Sequence, residues 1–279
     1  MTAQSPADLT DMEVSALIAA EAGQVLLDLR ESFDVGPDGE RANDLRKAAD
    51  RASHEHIVAR FAELRPDDAV LSEEGKDDPI RLESDRVWIV DPLDGTKEYG
   101  QGRTDFAVHI VLWTRDPQAP GGGRLSASTV ELPAQGLTRR NDDAGLGSRD
   151  LPTDRPVRIV ASRTRPPAVL GDAVRILDEV LRAQGHDTGV EIVDVGSVGA
   201  KVNEILAGRA EAYVHDTGFY EWDVAAPLAI AHAQGLPAAH VDASPIPFNQ
   251  PTPYVTSLLV GLPVITEQLR DAMQQAGSA

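Results

Sequence analysis

Cysteine is absent and lysine nearly so. Only Lys47, Lys76, Lys97 and Lys201 stand among 45 acidic residues, and the 279-residue chain has a formal net charge of −19. Without cysteine there is no disulfide, no thiolate nucleophile and no Cys-ligated metal. Basic charge comes mainly from arginine and forms no run, which argues against binding a nucleic-acid polymer through the surface. A small anionic ligand stays open, because bound cations dominate a local field. No apolar run is long enough to span a bilayer. The polar Met1–Asp11 stretch leads into helical spacing and not into an apolar signal core. A cytoplasmic protein with no membrane partner is the expectation. Internal repeats and a G-x-x-x-x-G-K-S phosphate loop are also missing.

The most informative stretch present is Asp91-Pro92-Leu93-Asp94-Gly95-Thr96-Lys97-Glu98. It follows Val87-Trp88-Ile89-Val90, which reads as a buried strand ending in a turn. Two carboxylates at a strand end repel each other and lose hydration. A divalent cation between them reverses that cost, and oxygen ligands suit Mg²⁺ or Mn²⁺ better than Zn²⁺. Taken alone, D-P-x-D-G also fits an ordinary surface turn. Two further acidic positions weigh against that: Glu73-Glu74 after the short strand Ala69–Leu71, and Asp223 at the start of a helix, where an N-cap is its usual role.

The spacing of Val14, Leu17, Ile18, Ala22, Val25, Leu26 and Leu29 predicts a first helix capped by Thr10 or Asp11. Ser32 to Arg46 reads as a loop, and a second helix is predicted from near Asp50 to Leu64. Phe106–Trp113 and Ala127–Leu132 read as strands. The Pro-, Gly- and Arg-rich stretch 115–155 ends at a lobe boundary, giving lobes 1–154 and 155–279. Beyond it strands at Val157–Ala161, Val190–Val193 and Glu211–Val214 alternate with helices at Ala168–Arg182, Ser197–Ala207 and Trp222–Ala233, a βα pattern. A terminal helix is predicted over Val264–Ala276.

These motifs together resemble the inositol monophosphatase superfamily of Mg²⁺-dependent, lithium-sensitive phosphatases: E-E after a strand, D-P-[LI]-D-G-T, and W-D-x-A-A at Trp222–Ala226. The resemblance covers nearly the whole chain. Leu71-Ser72-Glu73-Glu74, Lys97-Glu98-Tyr99, Ser162-Arg163 and Gly196-Ser197 with Lys201 are most similar to the bacterial 3′-phosphoadenosine-5′-phosphate phosphatases. Tyr99 in place of Phe and the Arg-rich middle segment depart from that pattern. The resemblance implies an α/β (α+β) chain with the layered α-β-α-β-α sugar-phosphatase fold of two lobes. It implies two Mg²⁺, with a third near Glu73 allowed. Glu73, Asp91 and the Leu93 carbonyl would hold the first, and Asp91, Asp94 and Asp223 the second. Thr96 and Asp50 would orient the attacking water, with Glu73 beside them. Asp94, Gly95, Thr96, Lys97, Arg163, Gly196, Ser197, Lys201 and Asp223 would meet a small phosphorylated substrate. That substrate is expected to be 3′-phosphoadenosine 5′-phosphate, hydrolysed to AMP and phosphate in sulfur assimilation. An inositol phosphate or fructose 1,6-bisphosphate is the alternative within the fold. A non-catalytic metal-binding protein ranks below both, because every metal ligand of the pattern and Thr96 are intact. A homodimer is left open.

Overall fold

The computed structural model describes residues 9–33 and 40–278. Helix α1 (Asp11–Ser32) opens with a capping box. Glu13 N–H donates to Thr10 Oγ1 at 3.2 Å, and Thr10 N–H donates to the Glu13 carboxylate at 2.8 Å. Each side chain thereby satisfies an orphan donor of the first turn. Helix α2 (Glu40–Leu64) begins well before Asp50. The expected loop over Ser32–Arg46 is thus corrected: Ser32 closes α1, residues 34–39 lie outside the described residues, and 40–46 are helical. Ala42, Leu45 and Ala49 are buried in this part. They keep helical spacing, but two are methyl-sized, so the apolar stripe is too faint to stand out among the charges.

The first sheet has the order β1 (Ala69–Ser72), β2 (Arg86–Asp94), β3 (Ala107–Arg115), β4 (Gly123–Leu132), β5 (Leu137–Arg140). Only β1 and β2 run parallel. Both faces are covered, which explains the continuous apolar runs in β2 and β3. Trp88, Val90, Val108, Ile110 and Leu112 pack with α1 and α2. Val87, Ile89, Ala107 and Val111 face the larger core on the other side.

The second half supplies β6 (Val157–Ser162), α4 (Leu170–Ala183), β7 (Val190–Val195), α5 (Val198–Leu206), β8 (Ala212–His215), β9 (Phe219–Tyr220), α6 (Glu221–Ala233), β10 (Ala238–Ala239), β11 (Tyr254–Val255), β12 (Leu258–Gly261) and α7 (Pro263–Gly277). The second sheet has the order β10-β12-β8-β6-β7, and β9 pairs with β11 separately. Strands β5 and β9 to β12 had no counterpart in the predicted elements. They are short, and several follow proline-rich stretches that carry no clear alternation.

α5 and α6 lie between the two sheets, and α4 and α7 cover the outer face of the second. The layers therefore run α1/α2, sheet, α5/α6, sheet, α4/α7, the α-β-α-β-α arrangement expected. This order carries α5 and α6, from the second half of the chain, onto the first sheet beside the end of β2.

Close approach of α5 to the first sheet depends on Gly199. A Cβ there would run into the His109 ring and lie 2.8 Å from Val130 Cγ1. Gly199→Ala should lower stability by about 1–3 kcal/mol through overpacking. Urea unfolding checks this, and an unchanged midpoint would contradict the close packing.

Candidate active site

Strand β2 does not end at Val90 in a turn, as the apolar run suggested; it continues through Asp94. Asp91 pairs with His109 and Asp94 with Ala107 on β3. Three steps on β2 thus match two on β3, which is a β-bulge at Pro92-Leu93. Proline is tolerated there because a bulge does not need its missing N–H. In an unbroken strand Asp91 and Asp94 would point to opposite faces. The extra residue places both opposite β3 residues that share a face, so the two carboxylates converge.

Both are buried, at 1% and 8% exposure. Asp91 Oδ1 accepts the Leu93 N–H at 2.9 Å, and Asp94 Oδ2 accepts the Gly199 N–H at 3.2 Å. Asp91 Oδ2 is buried with no hydrogen-bond partner. A carboxylate, an orphaned oxygen and a neighbouring carboxylate form the donor set of a hard divalent cation. A ligand atom from each of Asp91, Asp94 and His109 lies within 4.8 Å of the others. His109 Nε2 is 3.3 Å from Asp94 Oδ2 but lacks hydrogen-bond geometry. Burial holds its imidazole below its usual pKa, against the pull of Asp94. No expectation placed His109 here; its signal was a single polar residue inside the apolar run Val108–Leu112, opposite Asp91.

Glu73 follows β1 and Asp223 sits in the first turn of α6; both line the same cleft of about 270 Å³. Asp223 is not the N-cap: Tyr220 holds that position, and Asp223, at the third helical residue, accepts the Tyr220 N–H at 2.6 Å while facing the cleft. Asp50 is in mid-helix on α2. Thr96 Oγ1 donates to the Leu93 carbonyl at 3.1 Å and approaches Asp50 Oδ1 at 3.4 Å.

The electrostatics are those of crowded acids. Burial lifts Asp91 well above the usual carboxylate range, and the charges of Glu73, Asp94 and Asp223 add to it. Glu73 is open to the cleft but walled by protein; loss of water and then the charge of Asp223 raise it to about 8. Loss of water, then Asp94, raises Asp223 to about 7. Asp50 also rises to about 7, through loss of water and then the charge of Glu74.

A model of the inositol monophosphatase family matches residues 8–121 and 157–277. The chain belongs to the inositol monophosphatase family. It is 40% identical over 258 residues to the 3′-phosphoadenosine 5′-phosphate phosphatase of Mycobacterium leprae, covering 91% of this chain and 90% of that one. It is 33% identical over 198 residues to the 3′(2′),5′-bisphosphate nucleotidase CysQ of Escherichia coli K12, covering 70% and 74%. The crystal structure of inositol monophosphatase-II from Staphylococcus aureus superposes with a TM-score of 0.71 at 21% identity, over 95% and 96% of the chains, which supports the fold. The resemblance drawn from Glu73-Glu74, Asp91–Thr96 and Trp222–Ala226 is borne out at the level of the family.

Within this member of the inositol monophosphatase family the basic side chains are arranged unevenly. Gly95, at φ 86°, starts the short helix α3 (Thr96–Gly100), and a Cβ there would lie 3.2 Å from Ser197 Cβ. The glycine thus lets α3 and the start of α5 abut. Ser197 caps α5 by accepting the Ala200 N–H at 2.9 Å, and Gly196 N–H donates to Asp105 Oδ2 at 2.8 Å. Lys201 is 4% exposed, donates to the Gly196 carbonyl and lies over the Tyr213 ring at 5.3 Å. Arg163 Nη1 donates to Glu98 at 3.0 Å, and its Nη2 approaches Asp105 at 3.5 Å. Lys97 and Arg165 are exposed at the cleft with no charged partner among the described residues. Arg165 was not anticipated, because it lies two residues beyond the Ser162-Arg163 motif.

The crowding has a direction in pH. A carboxyl raised in the fold binds its proton more tightly there than in the unfolded chain. The metal-free protein is therefore best stabilised by these groups at low pH, and loses that stability as pH rises from the ordinary carboxylate range through about 7 to 8. Asp91→Asn should raise the metal-free melting temperature, by more at about pH 8.5 than at about pH 5. The same substitution should remove any rise that an added divalent cation produces in the unaltered chain. A metal-free melting temperature that falls at pH 8.5 would contradict this account.

Proposed function

We propose that the chain is a Mg²⁺-dependent phosphatase that hydrolyses 3′-phosphoadenosine 5′-phosphate to AMP and phosphate, in the cytoplasm and in the service of sulfur assimilation. The observation that carries the metal-dependent chemistry is the bulge of β2, which aims Asp91 and Asp94 together and leaves Asp91 Oδ2 without a partner. The nucleotide substrate is supported by the M. leprae relative, which covers most of this chain.

Glu73, Asp91, the Leu93 carbonyl, Asp94 and Asp223 are the groups that would hold two Mg²⁺. A third beside Glu73 belongs to the same reading. Bound there, the cations would supply an activated water and charge for the leaving oxygen. The chain's own groups do the rest. Thr96 presents its hydroxyl between the Leu93 carbonyl and Asp50, so it can orient the attacking water. Asp50, raised to about 7, suits a group that accepts a proton near neutral pH. The water oxygen bonds to phosphorus as the bond to the 3′-oxygen breaks. Its proton passes toward Asp50, and the leaving 3′-oxygen takes one from solvent. The division into lobes 1–154 and 155–279 belongs to this proposal. Its support is that each sheet lies within one of them, with the cleft lined from both.

Phosphate release with Mg²⁺ from 3′-phosphoadenosine 5′-phosphate, inositol 1-phosphate and fructose 1,6-bisphosphate tests the substrate. A lithium-sensitive preference for the nucleotide is expected; equal or reversed rates would move the function to a sugar phosphate. Asp94→Asn should lower turnover by more than about a hundredfold, beyond the range for groups that only orient metal ligands. Normal activity in that variant would remove the two-cation assignment.

Arg165 gives a sharper prediction within this reading. It is the exposed guanidinium at the second-sheet side of the cleft, and its fork suits a phosphate. Arg165→Gln should raise KM for the bisphosphate by about tenfold, as for loss of a charge-assisted contact. Hydrolysis of 3′-AMP, which lacks the 5′-phosphate, should be little changed. Equal losses on both substrates would deny Arg165 that role.

A further inference from the structure

A buried polar circuit joins the two flanks of the carboxylate cluster and takes no part in the chemistry above. Arg81 is 1% exposed and lies in the segment that follows Glu73 and Glu74. Its Nε and Nη2 donate to the Asp77 carboxylate at 2.7 and 3.0 Å. Its Nη1 donates to Asn249 Oδ1 at 2.7 Å and its Nη2 to the Gln250 carbonyl at 2.9 Å. Asn249 returns a bond, with Nδ2 donating to the Arg81 carbonyl at 3.1 Å.

The circuit continues into α6. Glu221, also 1% exposed, accepts the Asn249 N–H at 2.6 Å and the Gln250 N–H at 2.8 Å. Its own N–H donates to the Pro253 carbonyl at 3.0 Å. Glu221 stands two residues before Asp223, and Asp77 four residues after Glu73. Asn249 adopts a φ of 57°, a left-handed conformation that asparagine tolerates better than most residues.

Burying a guanidinium and a carboxylate is expensive, and an apolar pair of similar volume would often serve stability as well. Directional hydrogen bonds do what an apolar pair cannot: they fix one segment against another at a set distance. The segments fixed here carry Glu73 and Asp223, whose like charges push them apart.

We propose that Arg81 and Glu221, bridged by Asn249 and Gln250, form a positioning clamp that sets the spacing of Glu73 and Asp223 and thereby the affinity of the site for a divalent cation. The clamp rests on the reading of those carboxylates as a metal site and is independent of which phosphate ester is hydrolysed. None of its side chains is assigned contact with substrate or cation.

The test is calorimetric titration of the full chain with Mn²⁺, without substrate, alongside its melting temperature. Arg81→Met and Asn249→Gly should each weaken Mn²⁺ binding by about 10–100-fold, the range seen when groups that orient metal ligands are removed. Arg81→Lys should fall between, since it keeps the charge near Asp77 but loses the fork. If Arg81→Met does not fold, Asn249→Gly decides, because glycine accepts that φ and removes only the bridging amide side chain. Unchanged Mn²⁺ affinity in a folded variant, whatever its melting temperature, would overturn the clamp and leave the metal site standing. No Mn²⁺ binding by the unaltered chain would overturn both.

Discussion

Mutual repulsion among Glu73, Asp91, Asp94 and Asp223 is the constraint around which the rest of this structure is arranged. Buried or half-walled carboxylates stabilise no fold by themselves; each has given up water and faces like charge. The upward shifts of Glu73, Asp91 and Asp223 record that opposition. The scaffold holds them together by means that owe nothing to their charge. Asp91 and Asp94 are set by the bulge inside a sheet covered on both faces. Glu73 follows β1, whose parallel pairing with β2 fixes its distance from Asp91. Asp223 is carried in by α6 from the second half of the chain and secured by the Tyr220 N–H.

The layer order gives the site its second property, a cleft with acid at its floor and cations around it. Strand ends of both sheets open there, and α5 enters through Gly196-Ser197 under the grip of Asp105. Arg163 ties Glu98 and Asp105 to the end of β6. It thus joins groups of the two sheets directly beside the cleft. The same side chain can serve this union or meet an anion. Arg165, exposed and without an ion-pair partner among the described residues, has no such prior engagement.

Much of this was legible from the chain because the chemistry sits in contiguous motifs. Asp91 through Thr96 are neighbours in sequence, so a bulge of one strand is enough to bring them together. The layered fold followed from the family resemblance, and the main helices and strands from apolar spacing. What stayed hidden depends on pairing across the fold. His109 joins the cluster only through the register of β3 against β2. The circuit of Arg81, Asn249 and Glu221 links residues whose separation in sequence carries no periodic signal. The early start of α2 was masked because Ala42 and Ala49 bury too little apolar surface to mark a helix face.

Proton release on cation binding tests the central claim most directly. Calorimetry of Mg²⁺ binding near pH 7, in buffers of different ionisation enthalpy, counts the protons displaced. Glu73, at about 8, and Asp223, at about 7, hold protons in that range. The account predicts a net release of about one proton or more per chain, falling as pH is raised. Binding with no proton release near pH 7 would mean that the carboxylates are already ionised without a cation, and that their crowding is not what the metal relieves.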